Sequence, residues 1–294
     1  MTNAMSTAVL TELAPAKVNL TLRVVGRRAD GYHDIESLVV FARIGDRLAL
    51  HPGEPLALEV GGPGANAAGA VADNLVLKAA QALAARTQGL ALGRFVLDKQ
   101  LPVAAGLGGG SADAAAALRL LARANALKRD DARLLAAARA TGADVPVCLD
   151  PRPRTMRGIG DVLSAPLGLP SLAAVLVNPG VAVATREVFA RLGLVPGARR
   201  GADEAAPVPG ERSALLAFLA ERTNDLEAAA ISLAPAVADT LAALRALAGC
   251  RLARMSGSGA TCVGLFDSAP AAAAAAHSLK AAHPDWWVEA TSLG

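Results

Sequence analysis

Aromatic side chains are scarce in this chain, and lysine is scarcer still. Phe, Trp and Tyr make up 3% of the 294 residues, and only five lysines stand among the 29 basic residues. Charged residues amount to 19%, with a net charge of +3, which is too little charge for a disordered chain. No basic stretch is interleaved with aromatic residues, so the sequence indicates no nucleic-acid partner.

Cysteines and long apolar runs are also too few for a disulfide framework or a membrane span. Cys148, Cys250 and Cys262 are an odd number without metal-ligand spacing, which favours a reduced compartment and predicts no metal-binding side chains. Charged residues, prolines or glycines interrupt every apolar stretch before it reaches roughly 18 residues. The first residues carry no leader or signal core, and either Met1 or Met5 could be the start. We therefore expect a cytoplasmic protein without membrane contact.

Hydrophobic residues, in contrast, make up 53% of the chain, which is enough for buried cores. The length suggests two compact domains of about 150 residues each. Strands and helices follow one another irregularly, which indicates an α+β fold rather than a regular βαβ alternation. Prolines and glycines cluster between residues 151 and 160. We therefore predict an N-terminal domain over 1–160 and a C-terminal domain over 161–294.

The hydrophobic patterning predicts the following elements. Strands are expected at 18–25, 38–43, 47–50, 56–60, 94–98, 172–178 and 286–292, with a strand-loop-strand unit around 255–266. Helices are expected at 75–86, from Ser111 onward, and at 131–140, 212–220, 224–231, 235–248 and 269–281. The segment 196–211 is predicted to be a surface loop and is assigned no role.

The strongest candidate site is the glycine-rich loop at 106–110, which precedes a long alanine-leucine helix. Glycines let the backbone approach an anion without a Cβ in the way, and a helix start directs N–H groups to the same place. The loop lacks the lysine of a P-loop and the βαβ context of a dinucleotide fingerprint. We therefore predict a phosphate cradle of another type, with an ordinary turn as the alternative. Lys99 could neutralise charge there, and Ser111 could donate its hydroxyl.

Three further segments place polar or flexible residues in apolar surroundings. Lys17 lies among apolar residues on the first predicted strand, where a buried lysine would be unusual. Alternatively, it is an edge-strand lysine whose ammonium reaches solvent. Asp144 is either a helix cap or a buried carboxylate with a chemical role. The segment Gly257–Gly259 could close on a phosphate or form a tight turn.

Together these segments resemble the superfamily of galactokinase, homoserine kinase, mevalonate kinase and phosphomevalonate kinase. The order is the same: a lysine on the first strand, a Pro-x-x-x-Gly-Leu-Gly loop and a late Ser-Gly-Ser-Gly loop. Within it, the chain is most similar to the kinases of diphosphocytidyl-methylerythritol. That similarity is carried over nearly the whole chain by APAKVNLTL, RADGYHDIESL, DNLV, GLGGGSADAA, TGADVPV, RGIGD, NPGVAVATREVF, NDLE and MSGSGATC.

The resemblance implies an N-terminal ATP-binding domain of the ribosomal-protein-S5-domain-2-like fold and a C-terminal ferredoxin-like domain, with the active site in the cleft. It implies transfer of the γ-phosphoryl group of ATP, with Mg²⁺, to the 2-hydroxyl of the cytidyl diphosphate substrate in non-mevalonate isoprenoid synthesis. A monomer or weak homodimer is expected.

The resemblance also assigns residues by position. Asp144 matches the catalytic base and Lys17 its electrostatic partner. The positions that match the ATP-binding segment are Asn74, Lys99, Pro102, Val103, Ala104, Ala105, Gly106, Leu107, Gly108, Gly109, Gly110, Ser111 and Ala112. The positions that match the cytidyl-substrate site are Asn19, Tyr32, His33, Thr185 and Phe189. Ala112 departs from the pattern, since many relatives carry a second serine there.

Two alternatives stay open from the residues alone. The first is another kinase of the same superfamily, acting on mevalonate or homoserine; the Gly31–His33 segment and the triple glycine argue against it. The second is a non-catalytic sensor that binds ATP and substrate. The presence of both Lys17 and Asp144 disfavours a sensor, which has no need of an acid-base pair.

Overall fold

The structure, a computed structural model, describes residues 8–200 and 206–294. The choice between Met1 and Met5 and residues 201–205 of the predicted loop lie outside the described residues. Within them the chain packs into two compact units. Unit 1 holds residues 8–16, 44–103 and 108–151, and unit 2 holds 17–43, 104–107, 152–200 and 206–294.

These units differ from the predicted consecutive domains, 1–160 and 161–294, in two early segments and at the boundary, where residues 152–160 belong to unit 2. Residues 17–43 and 104–107 fold with unit 2 although they stand in the first half of the chain. Strand pairing explains the first segment, since Ile35–Val39 pair with Arg154–Gly158 and Ala42 pairs with Leu293. Hydrogen bonds from Ser256 and Thr261 hold the second.

The elements in chain order are as follows. The strands are β1 (Leu10–Asn19), β2 (Arg23–Arg27), β3 (His33–Pro52), β4 (Ala57–Gly61), β5 (Gly93–Asp98), β6 (Arg154–Gly158), β7 (Val162–Leu163), β8 (Leu172–Asn178), β9 (Cys250–Met255), β10 (Cys262–Phe266) and β11 (Trp287–Leu293). The helices are α1 (Leu75–Ala84), α2 (Gly109–Ala124), α3 (Ala132–Thr141), α4 (Val145–Leu149), α5 (Thr185–Arg191), α6 (Arg212–Ala220), α7 (Glu227–Leu233), α8 (Ala236–Arg245) and α9 (Ala269–Ala282).

The α+β class is confirmed, and three predicted boundaries near the candidate site are corrected. The strands predicted at 38–43 and 47–50 are one strand, β3, which includes Gly45. Glycine fits there because the Ala14 carbonyl oxygen lies close to where a Cβ would be. The strand predicted at 18–25 is interrupted after Asn19. Helix α2 begins at Gly109, two residues before the predicted Ser111.

Unit 1 combines a small sheet with four helices. β5 pairs in parallel with β4 and antiparallel with the second half of β3. α2 packs against α1 and α4, and its buried alanines, such as Ala114 and Ala117, let these helices approach closely. The unit thereby fixes the direction in which the N-terminus of α2 points.

Unit 2 is built on an antiparallel sheet in which β8 lies between β11 and β10, and β10 pairs with β9. Every residue of β8 is buried, as expected for its continuous apolar run. β2 and β6 pair with the first half of β3. In the part of the chain that the structure describes, no helix is both long and apolar enough to cross a membrane.

Candidate active site

Two glycine-rich segments meet inside unit 2. Ser256 Oγ donates a hydrogen bond to the Gly106 carbonyl at 3.0 Å, and the Thr261 N–H donates to the Ala105 carbonyl at 3.1 Å. Gly106 has a φ of +75°, and a Cβ there would lie 2.3 Å from the Ser256 carbonyl oxygen. Glycine is required at this position on both grounds. The late Ser-Gly-Ser-Gly segment therefore braces the first glycine loop.

The end of β1 is attached to the same pair of loops. The Lys17 N–H donates to the Leu107 carbonyl at 2.9 Å, and the Asn19 N–H donates to Ser256 Oγ at 3.1 Å. Lys17 is buried, with 4% of its surface exposed. The Asn19 side chain donates to Ser37 Oγ at 2.7 Å, but its Oδ1 is buried without a hydrogen-bond partner among the described residues. Such an acceptor is suited to a donor on a ligand.

The residues predicted to bind the cytidyl group are also in unit 2. The rings of His33 and Phe189 stack with a centroid distance of 4.8 Å, so His33 covers one face of Phe189. The side chain of Tyr32 is 61% exposed. Burial and the nearby Arg27 guanidinium lower the pKa of His33, which keeps the imidazole neutral at pH 7. Thr185 Oγ1 lies 2.8 Å from Ser258 Oγ.

In unit 1, the start of α2 has the geometry of an anion site. Gly108 stands at the N-cap in the left-handed region, with a φ of 61°, and it has no side chain with which to cap the helix. The first N–H groups of α2 and the positive end of the helix dipole thus receive no capping oxygen from this residue. Asn74, in contrast, caps α1, because its Oδ1 accepts a hydrogen bond from the Val76 N–H at 3.0 Å.

Lys99 is held by two carboxylates in unit 1. Its ammonium donates to Asp113 Oδ2 at 2.8 Å and contacts Asp46 Oδ2. Burial would lower the pKa of Lys99, but the attraction of Asp113 and Asp46 outweighs it and raises the pKa above its ordinary value. The Lys99 ammonium, which the sequence predicted to neutralise phosphate charge, is therefore already paired with two carboxylates.

Asp144 stands at the N-cap position of α4, yet its side chain makes no capping hydrogen bond. The residue is half-buried. The alternative interpretation, in which Asp144 serves as a helix cap, therefore has no support from the hydrogen bonds of α4.

Comparison with known proteins identifies the family of this chain. Residues 74–150 match the family described as GHMP kinases N terminal domain, and residues 210–285 match GHMP kinases C terminal. A relative from Xanthobacter autotrophicus, 4-diphosphocytidyl-2-C-methyl-D-erythritol kinase, is 61% identical over 285 residues, covering 95% of this chain and 97% of its own. The chain belongs to this kinase family.

Two solved structures are similar to this chain, one at an identity that indicates the same family and one at an identity that indicates only the same fold. A crystal structure of 4-(cytidine 5'-diphospho)-2C-methyl-D-erythritol kinase has a TM-score of 0.77 at 36% identity, with 97% of this chain and 99% of that chain covered. Homoserine kinase from Cytophaga hutchinsonii has a TM-score of 0.67 at 19% identity, covering 99% and 96%, a likeness that shows the fold alone. As a GHMP kinase, the chain is a small-molecule kinase with ATP as co-substrate.

Four residues that support these sites received no role in the sequence interpretation, although three of them, Asp113, Asn224 and Ser256, lie in the quoted motifs. Ser256 and Asn224 hold the second glycine loop, since Asn224 Nδ2 donates to the Met255 and Gly257 carbonyls at 2.9 and 2.7 Å. Asp46 and Asp113 hold Lys99. Asp113 carried a readable signal, because an aspartate within an alanine helix is as unusual as Asp144 in its apolar run.

Proposed function

We propose that the chain transfers the γ-phosphoryl group of ATP to the 2-hydroxyl of 4-diphosphocytidyl-2-C-methyl-D-erythritol, a step of non-mevalonate isoprenoid synthesis. The observation that carries the proposal is the 61% identity to a kinase of that name over nearly the full length of both chains. The competing substrates, mevalonate and homoserine, have no comparable support, because the homoserine kinase is only 19% identical.

Phosphoryl transfer needs positioning and charge neutralisation more than covalent chemistry. In this proposal the N–H groups at the start of α2 bind the ATP phosphates. The Asp144 carboxylate orients the substrate hydroxyl and accepts its proton. The Lys17 ammonium offsets the charge that develops during transfer.

Mg²⁺ is proposed to enter with ATP. The described residues contain no group of three or more acidic, histidine or cysteine side chains that could hold a metal ion. This fits Mg²⁺, which commonly keeps several waters and is bound largely through substrate phosphates. The ion supplies neutralisation of phosphate charge when bound.

The cytidyl group is proposed to bind at the His33–Phe189 pair. The exposed Tyr32 ring would stack on the cytosine, and neutral His33 would hydrogen-bond its polar edge. The unpaired Oδ1 of Asn19 would accept a hydrogen bond from a substrate hydroxyl. Tyr32 and Phe189 were predicted to sandwich the cytosine ring. Because His33 covers one face of Phe189, the cytosine would have to stack on the other face.

Replacing Tyr32 by Ala is expected to raise the dissociation constant of the cytidyl substrate by about 10- to 100-fold, because base stacking on an aromatic ring is worth roughly 1–3 kcal/mol. ATP affinity and the free energy of unfolding should not change, since the ring is exposed. Tyr32→Phe, which keeps the ring, is the matched control and should bind the substrate normally. Calorimetric titration measures each constant. An unaltered substrate affinity in Tyr32→Ala would remove this residue from the site.

The activity is tested by ATP consumption with the cytidyl substrate, its uridyl analogue, mevalonate and homoserine. Of these four compounds, only the cytidyl substrate is expected to be phosphorylated. A site that hydrogen-bonds cytosine would leave its own polar groups unpaired when a different base is bound. Equal use of the uridyl analogue would show that His33 does not read the base. Turnover with mevalonate or homoserine instead would overturn the substrate assignment and leave the kinase assignment intact.

A further inference from the structure

Three buried charged side chains form a cluster beneath the first turn of α2. The side chains of Asp46, Lys99 and Asp113 are 0%, 5% and 3% exposed. Asp46 lies on β3, Lys99 follows β5, and Asp113 lies on α2. The Lys99 ammonium contacts both carboxylates. The cluster thus joins three elements of unit 1 at one point.

This cluster fixes the segment after β5 to the start of α2. Asp46 Oδ1 accepts hydrogen bonds from the N–H groups of Gln100 and Leu101, at 2.6 and 2.8 Å. A Cβ added to Gly109 would lie 3.0 Å from Lys99 Nζ, so the ammonium lies directly against the first residue of α2. Movement of the cluster would therefore move the N-terminus of this helix.

The cluster also carries more negative than positive charge. Two carboxylates share one ammonium, and Asp113 Oδ1 is buried without a hydrogen-bond partner among the described residues. Burial raises the pKa of Asp113 to about 7, against the opposing attraction of Lys99. The excess negative charge is present when Asp113 is ionised and absent when Asp113 is protonated.

Among the described residues, the charged groups that shift the pKa of Asp113 are Lys99 and Asp46. Lys78 of α1 pairs with Asp73, and Arg133 of α3 pairs with Asp131. α4 carries no charged side chain.

We propose that Asp46, Lys99 and Asp113 are positioning residues for the nucleotide: they hold the start of α2 where its N–H groups receive the ATP phosphates, and the phosphates in turn sense the charge of the cluster. This rests on the proposed function, in which ATP phosphates bind at that helix start. Phosphate and an ionised Asp113 are like charges, so ATP binds more tightly when Asp113 is protonated.

The first test separates KM from kcat. Asp113→Ala removes the acceptor for Lys99 and is expected to raise KM for ATP at least about tenfold while kcat stays within about threefold. Asp113→Asn keeps an acceptor and should restore KM to within about threefold of the native value. The matched control is Asn125→Ala at the opposite end of α2, where Asn125 bonds Ala91 and Leu121. This control should lose stability without a change in KM.

The second test stays informative if Asp113→Ala does not fold. ATP affinity is measured by calorimetry from about pH 6 to about pH 8.5. The native dissociation constant should rise as the pH passes about 7, and this rise should be smaller in Asp113→Asn, in which only the titration of ATP remains. The same pH dependence in both proteins, or the same KM for Asp113→Ala and Asn125→Ala, would overturn the proposal. Failure of the native protein to bind ATP would instead overturn the proposed function.

Discussion

Replacing Asp144 by Asn is expected to lower kcat by about 10²- to 10⁴-fold, because a general base contributes on that order to turnover. Asn keeps the shape of the side chain and removes the charge that accepts the substrate proton. ATP affinity should persist. The free energy of unfolding is measured as well, so that a loss of turnover can be distinguished from a loss of the folded state. Steady-state turnover, ATP titration and urea unfolding measure the three quantities.

Asp131→Asn is the matched control for this experiment. Asp131 is a true cap, with its Oδ1 accepting from the Arg133 N–H at 2.9 Å at the start of α3, and Asn is an equally good capping residue. Its turnover should equal that of the native protein. A loss of less than about tenfold in Asp144→Asn, roughly 1.4 kcal/mol of barrier, would exclude Asp144 as the base.

Replacing Gly106 by Ala should disrupt the contact between the two glycine loops. The left-handed backbone costs a non-glycine residue about 1–2 kcal/mol. The added Cβ would lie 2.3 Å from the Ser256 carbonyl oxygen, so one of the loops must also shift. We expect a lower midpoint of urea unfolding and a loss of kcat/KM, because Lys17 and Asn19 are bonded to these same loops.

Gly110→Ala provides the contrast. Among the described residues, a Cβ at this position would contact only Leu75 Cδ1, at 3.6 Å. Alanine in a helix is favoured over glycine by roughly 0.5–1 kcal/mol. The Gly110→Ala protein should therefore be as stable as the native one or more so. Native stability and activity in Gly106→Ala would show that the two loops can move apart and that the hydrogen bond from Ser256 to the Gly106 carbonyl is not needed for function.

Local patterns were sufficient for several conclusions. The α+β class, the buried strand β8 and the alanine helix α2 follow from periodicity and composition within short windows of the chain. The kinase family follows from contiguous motifs such as those around Lys17, Gly106 and Asp144. A contiguous motif can be recognised from the sequence because its residues lie on one local segment of backbone, whatever the rest of the chain does.

Contacts between distant residues had no such signal. Ser256 bonds the Gly106 carbonyl across 150 positions, Lys99 lies 53 positions from Asp46, and His33 stacks on Phe189 far along the chain. The sequence predicted Lys99 near phosphate and Phe189 near Tyr32. It did not predict that Lys99 pairs with Asp46 and Asp113 or that His33 stacks on Phe189. Strand pairing decides which distant residues meet, and a buried ammonium pairs with whichever carboxylates that pairing brings within reach.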